Sequence, residues 1–155
     1  MSVRKEIIGG LVDALIAVKS DSSYPIVIRS VKEYDENYLT FENHEVPSIM
    51  INDTGVESLV VRKGNAYKYS LDFSMVGFVH ASSKSELRKN LNDVHSFIKM
   101  FIDLTAGSTI HANAQSLEYE SGESHYFQSD DDPDQIMGAV TINVSMRYYI
   151  TGGAF

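Results

Sequence analysis

Residues 56–80 read VESLVVRKGNAYKYSLDFSMVGFVH. Two runs, Val56–Val61 and Ala66–His80, flank Arg62-Lys63-Gly64-Asn65. Gly-Asn supplies the positive φ angles that a tight hairpin turn demands. Beyond the turn, Tyr67, Tyr69, Leu71, Phe73, Met75, Gly77 and Val79 fall on one face of an extended chain. Lys68, Ser70, Asp72 and Ser74 fall on the other, an alternation that Val76 and Phe78 interrupt. A period of two with one apolar face marks a strand with one buried side. At about 14 residues the strand outgrows the usual length, so it bends or overhangs its neighbours. An antiparallel hairpin therefore organises the chain.

The flanking segments supply helices and further strands. Residues 3–19, VRKEIIGGLVDALIAVK, place Val3, Ile7, Ile8, Leu11, Leu15 and Val18 at helical spacing, with Ser2 able to cap the start. Gly9 and Gly10 each cost a helix about 1 kcal/mol relative to Ala. Such a pair implies close packing against a sheet or a neighbouring subunit. A loop over 19–23 leads to Tyr24-Pro25, which pushes the chain extended into a strand over 26–31. The polar stretch 32–46 carries a candidate short strand at Tyr38–Phe41, and 47–52 reads as another extended piece closed by Asp53-Thr54-Gly55. Ser83-Lys84-Ser85-Glu86 is a capping box that opens a second helix running to about Leu104. Its apolar stripe is Leu87, Leu91, Val94, Ile98, Phe101 and Ile102. A strand is expected over 109–119, then a loop from Glu120 through His125-Tyr126-Phe127 to the aspartates, then a strong strand over 137–150. The expected architecture is α+β: an antiparallel or mixed sheet, the hairpin within it, and two main helices on one face. All 155 residues read as one domain.

Composition excludes several function classes. The chain has no cysteine, which removes disulfides, thiolate metal sites and a Cys nucleophile. No run approaches the ~18 apolar residues of a membrane span, and no secretory signal is evident, so folding in a cytosol is expected. The two glycosylation-like triplets at Asn52 and Asn143 are read as chance matches. Net charge is −8, unevenly spread. Residues 1–99 hold 12 Lys/Arg against 13 Asp/Glu, whereas residues 100–155 hold one Lys/Arg, Arg147, against 8 Asp/Glu. The last third is thus an acidic body that does not grip nucleic-acid phosphates.

That acidity peaks in QSDDDPDQ, residues 128–135, with Asp130, Asp131, Asp132 and Asp134 around Pro133. Consecutive aspartates in extended chain point to opposite sides and converge poorly on one ion, and the spacing is not that of a calcium loop. A solvated acidic loop is the expected reading, with no metal. His44, His80, His95, His111 and His125 form no metal-binding or catalytic pair pattern. His125, beside Tyr126 and Phe127, reads as a partner contact. There is no nucleophile elbow, phosphate loop or dinucleotide fingerprint. The expectation is a protein that is not an enzyme and holds no cofactor. Nine Tyr and seven Phe with no Trp put aromatics on strand faces, where Tyr67, Tyr69 and Tyr148 suit either the core or a subunit interface. The chain closes on TGGAF, a short tail ending in the aromatic Phe155.

The layout resembles the tail terminator (tail completion) proteins of long-tailed bacteriophages over essentially the whole chain. The resemblance rests on the helix VRKEIIGGLVDALIAV leading through YPIVI, on the hairpin VESLVVRKGNAYKYSLDFSMVGF, on the capped helix SSKSELRKNLNDVHSFIKMFI, and on the last strand AVTINVSMRYYI. It is a likeness of layout, with no signature motif. It implies a virion structural protein at the head–tail junction: a homo-hexameric ring on the tail tube that ends polymerisation and meets the head-completion or connector protein. DNA passes through such a ring without specific binding, and no membrane is involved. The aspartate loop then faces either DNA in the lumen or a basic partner. Gly9, Gly10, Tyr67, Tyr69, His125, Tyr126, Phe127, Tyr148 and Phe155 are candidate contacts. The competing readings are another head–tail joining or baseplate component and, from a different class, a small α+β enzyme or ligand-binding domain.

Overall fold

The computed structural model describes residues 3–33, 45–128 and 136–151, with backbone alone at 54–56, 126–128 and 151. Among these residues the elements are α1 (Val3–Val18), β1 (Ser30–Glu33), β2 (Ser48–Lys63), β3 (Ala66–Ala81), α2 (Lys84–Leu104), α3 (Gly107–Ile110), β4 (Ala114–Gln128) and β5 (Ile136–Thr151). Among the described residues the strands form a five-stranded sheet in the order β1-β2-β3-β5-β4. All pairings are antiparallel except the short parallel join of β1 to β2. The fold is α+β with a mixed sheet.

The hairpin forms at the expected place but with a tighter turn. β2 ends at Lys63 and β3 begins at Ala66, so Gly64-Asn65 alone make the connection. Only Gly64 has a positive φ, at 60°. The expectation of two positive φ angles is corrected: a positive φ confined to the first central residue is the type II′ pattern, which also matches strand twist. β3 pairs with β5 along its full length in unbroken register, from Ala66↔Thr151 to Ala81↔Ile136. This ladder is the spine of the sheet.

One face of that spine is apolar by alternation. Leu71, Phe73, Met75 and Val79 of β3 and Val140, Ile142, Val144 and Met146 of β5 are buried, as are Ile49 and Ile51 of β2. α1 and α2 contribute to the same core cluster. α2 buries Leu87, Leu91, Val94, Phe97, Ile98, Phe101 and Ile102. Each such side chain contributes about 1.5–3 kcal/mol relative to exposure, which outweighs the helix's modest intrinsic propensity. Ser83 Oγ accepts the Glu86 amide at 3.2 Å. The Glu86 carboxylate accepts the Ser82 hydroxyl at 3.0 Å and the Ser82 amide at 3.3 Å. The capping box thus closes one residue earlier than the simple motif.

Four segments differ from the sequence expectation. The strand expected over 26–31 reduces to β1 at Ser30–Glu33. The extended pieces at 47–52 and 56–61 are one strand, β2, whose register slips between Asp53 and Glu57 and again between Leu59 and Val61. Asp53-Thr54-Gly55 is therefore an irregularity within a strand, not its end. Thr109 and Ile110 lie in α3, and β4 starts only at Ala114. Glu120–Gln128, expected as loop, is strand. The candidate strand at Tyr38–Phe41 lies outside the described residues.

Candidate functional site

Burial on the helix face of β3 begins at Leu71, and the ribbon beyond it is exposed or half-buried. Residues 57–63 of β2 and 66–70 of β3 form an arm with the turn at its tip, its β3 side paired with Arg147–Thr151 of β5. Leu59, Val60 and Val61 are 53%, 40% and 50% exposed. Three consecutive aliphatic residues protrude because the register slip places Val60 between two residues that face opposite sides. On the helix side of the arm, Tyr67 stacks on Tyr69 with ring centroids 6.4 Å apart, and Tyr69 stacks on Tyr148 at 5.6 Å. The Arg62 guanidinium lies over the Tyr67 ring at 5.4 Å. Lys68 reaches over Tyr149 at 5.9 Å on the opposite side. The arm thus presents aliphatic and aromatic surface rimmed by Arg62, Lys63 and Lys68.

The far edge of the sheet, β4, has the opposite charge. Glu118, Glu120 and Glu123 are exposed along it. Polar side chains tie this edge to the sheet on the face away from the helices. Ser74 Oγ donates to Asn143 Oδ1 at 2.9 Å, Asn143 Nδ2 donates to Ser121 Oγ at 2.9 Å, and Ser145 Oγ donates to Glu120 at 2.7 Å. These cross-strand pairs fix the β4 register where its sequence lacks apolar alternation. On the helix side, His95 of α2 stacks on Tyr119 and its Nε2 lies 3.2 Å from the tyrosine hydroxyl. Lys99 sits over the same ring at 5.3 Å. Burial, and then the Lys99 charge, hold the His95 imidazole below its ordinary pKa. A shallow depression opens on the polar face, lined by Ser70, Asp72, Phe73, Glu118, Glu120, Asn143, Ser145 and Arg147.

The candidate contact residues separate into distinct environments. Tyr67 and Tyr69 are half-buried on the arm. Tyr148 is 2% exposed, which makes it a core residue supporting the tyrosine stack and not a contact surface of the folded chain. Gly10 has its close neighbour within the chain: a Cβ there would lie 2.0 Å from the Ile110 carbonyl oxygen of α3. Gly9 faces open space. His125 is exposed on β4, with Nε2 3.7 Å from Glu123, and so stands on a strand where a loop was expected. Tyr126 and Phe127 belong to the same strand. Asp130, Asp131, Asp132, Asp134 and Phe155 lie outside the described residues. Leu59, Val60 and Val61 join the candidate contacts only through their exposure in the fold. The available signal was three consecutive aliphatics directly before a turn, where strand alternation places no more than every second residue inward.

An ion pair and a hydrogen bond anchor α1. Arg4 makes a two-pronged pair with Asp53 of β2. Glu6 meets His111 Nε2 at 3.0 Å beside α3. His111 Nδ1 accepts the Asn113 amide at 3.1 Å, so Nε2 carries the proton and donates to Glu6 even in the neutral ring. Among the described residues no group of three His, Asp or Glu is gathered in a metal-binding arrangement, and no helix is long and apolar enough to cross a membrane. No protein-family model matches the chain, and no curated protein matches it.

Proposed function

We propose that this chain is a structural virion protein of the tail-terminator kind. Copies form a homo-hexameric ring on the tail tube, end its polymerisation, and offer the far side of the ring to the head-completion or connector protein. DNA passes through without being held. The observation that carries this reading is the arm with Leu59, Val60 and Val61 exposed together beside a tyrosine stack. Clustered aliphatic and aromatic surface rimmed by Arg and Lys is the composition of a protein–protein contact. The layout of helix, hairpin, capped helix and closing strand supports it, and so does the acidic last third of the chain.

In a ring of six, the acidic segment is repeated six times. Facing the lumen, it repels phosphates and lets DNA slide; facing a joint, it steers a basic partner into place. Converting Asp130, Asp131, Asp132 and Asp134 together to Asn tests that part: heads then fail to join, or DNA ejection slows. Normal joining and normal ejection remove both roles. The capping role is tested by following tube growth by light scattering with the tail-tube protein of the same virus. A small molar fraction of this chain arrests growth. Growth that continues unchanged at equimolar protein removes the reading.

A further inference from the structure

We propose that neighbouring copies join edge to edge, the β2 arm of one copy (Glu57–Lys63) adding to the β4 edge (Leu117–His125) of the next. The inference rests on the ring reading for the number of copies; the contact itself is argued from the sheet. Among the described residues, β1 covers only Ser48–Ile51 of β2, and nothing pairs with its outer side from Glu57 to Lys63. Among the described residues β4 is also the last strand at the other margin, paired on one side only. A long strand edge presents unmatched backbone donors and acceptors that pair readily with another chain.

Charge selects the combination. The arm margin carries Arg62 and Lys63, with Lys68 beside them on β3, against a single Glu57. The β4 margin carries Glu118, Glu120 and Glu123. Two β4 margins repel, and so do two arm tips, while an arm against β4 brings opposite charges together. Charged side chains along an edge also discourage indiscriminate pairing, and the two margins carry opposite signs, Glu on β4 and Arg62 and Lys63 beside Leu59, Val60 and Val61. That asymmetry suits an acidic edge reserved for a basic, aliphatic strand. Direction agrees as well. Three successive antiparallel pairings separate β2 from β4, so the two strands run oppositely within one chain. Continuing the sheet into a rotated copy therefore makes an antiparallel join, the more stable kind. Because the two margins differ, the contact is head-to-tail, the type that closes into rings.

The test uses the absence of native cysteine. Val60→Cys and Ser124→Cys are prepared as separate proteins and treated with a short bismaleimide, alone and mixed, at high protein concentration. The mixture gives a cross-linked dimer, and each variant alone gives at least tenfold less. Carrying both substitutions on one chain gives a ladder of multimers. An internal cross-link is disfavoured, since three strand spacings of about 4.8 Å separate β2 from β4 before any offset along the strands. Arg62→Glu with Lys63→Glu lowers the mixed yield at least tenfold, and Glu118→Lys with Glu123→Lys on the partner restores it. No cross-link in the mixture, like-with-like cross-links, or attachment of Val60→Cys to the tail-tube protein instead of a second copy overturns the contact. A ring that caps tubes without this cross-link overturns the contact and leaves the ring reading standing. The cross-link in protein that never caps a tube keeps the contact and removes that reading.

Discussion

Gly9 and Gly10 are adjacent in one helix, and their replacement by Ala is expected to have opposite effects. An added methyl at Gly9 meets no atom within 4 Å, whereas at Gly10 it lies 2.0 Å from the Ile110 oxygen and 3.0 Å from the Ile110 carbon. Gly9→Ala therefore collects the helix-propensity gain alone, about 1 kcal/mol. Gly10→Ala gains the same amount but must open a contact from 2.0 Å to the 3.4 Å of ordinary packing. The obstacle is backbone, which cannot rotate away. α3 must move by more than about 1 Å, against its connection to β4, where a Cβ added at Gly107 would lie 2.1 Å from the Gln115 carbonyl oxygen, so that joint has no slack either. Overpacking of this kind costs about 1–3 kcal/mol, and a backbone obstacle places it at the upper end. The net expectation is a stabilisation of about 1 kcal/mol for Gly9→Ala and a loss of about 1–2 kcal/mol for Gly10→Ala. For a chain of this size each kcal/mol moves the midpoint by about 2–4 °C. Thermal unfolding followed by circular dichroism at 222 nm reads both. A Gly10→Ala protein as stable as Gly9→Ala would refute the close approach of α1 to α3.

Other predictions test separate parts of the fold. Ser83→Ala removes the acceptor for the Glu86 amide and lowers stability by about 1 kcal/mol in urea titration, with an unchanged dependence on denaturant. Gly64→Ala forces a side chain into a left-handed conformation at φ 60° and costs about 1–2 kcal/mol by the same measurement, while the arm's neighbours keep their amide shifts. His95 titrates below the ordinary imidazole value of about 6.5, as read by proton NMR, and Lys99→Gln brings it part of the way back. The unfolded chain binds this proton more readily than the folded one. The His95 contribution is therefore fully present above about pH 6.5 and is lost as pH falls through that value toward the lower folded one. His95→Gln flattens the pH profile of stability in that window.

Elements with strong local chemistry were legible in the sequence. α2 is marked by its cap and its apolar stripe, which Phe97 widens by one residue in the fold. β3 and β5 were marked by alternation, which their shared register explains. β4 was only half legible because Glu120-Ser-Gly-Glu-Ser has no apolar period. Its strand state comes from pairing with β5 and from the Ser–Asn–Ser and Ser–Glu side-chain bonds, which are tertiary facts. β2 was divided at Asp53-Thr54-Gly55 because turn-forming residues inside an irregular strand look like its end. The arm was legible as a hairpin and, through Tyr67 and Tyr69, as a candidate contact, but the exposure of Leu59, Val60 and Val61 was not, since the point at which burial begins on β3 depends on the whole assembly of helices. The Gly10 approach likewise needs α3, a four-residue helix that no local pattern announced.

The most direct measurement of the proposed function is electron microscopy of the purified protein mixed with bacteriophage tail tubes encoded beside it. The account predicts a six-fold ring at one tube end only, the head-proximal one, absent when Leu59, Val60 and Val61 are all replaced by Ser. Bare tube ends at saturating protein, or protein scattered along the tube wall, would contradict it.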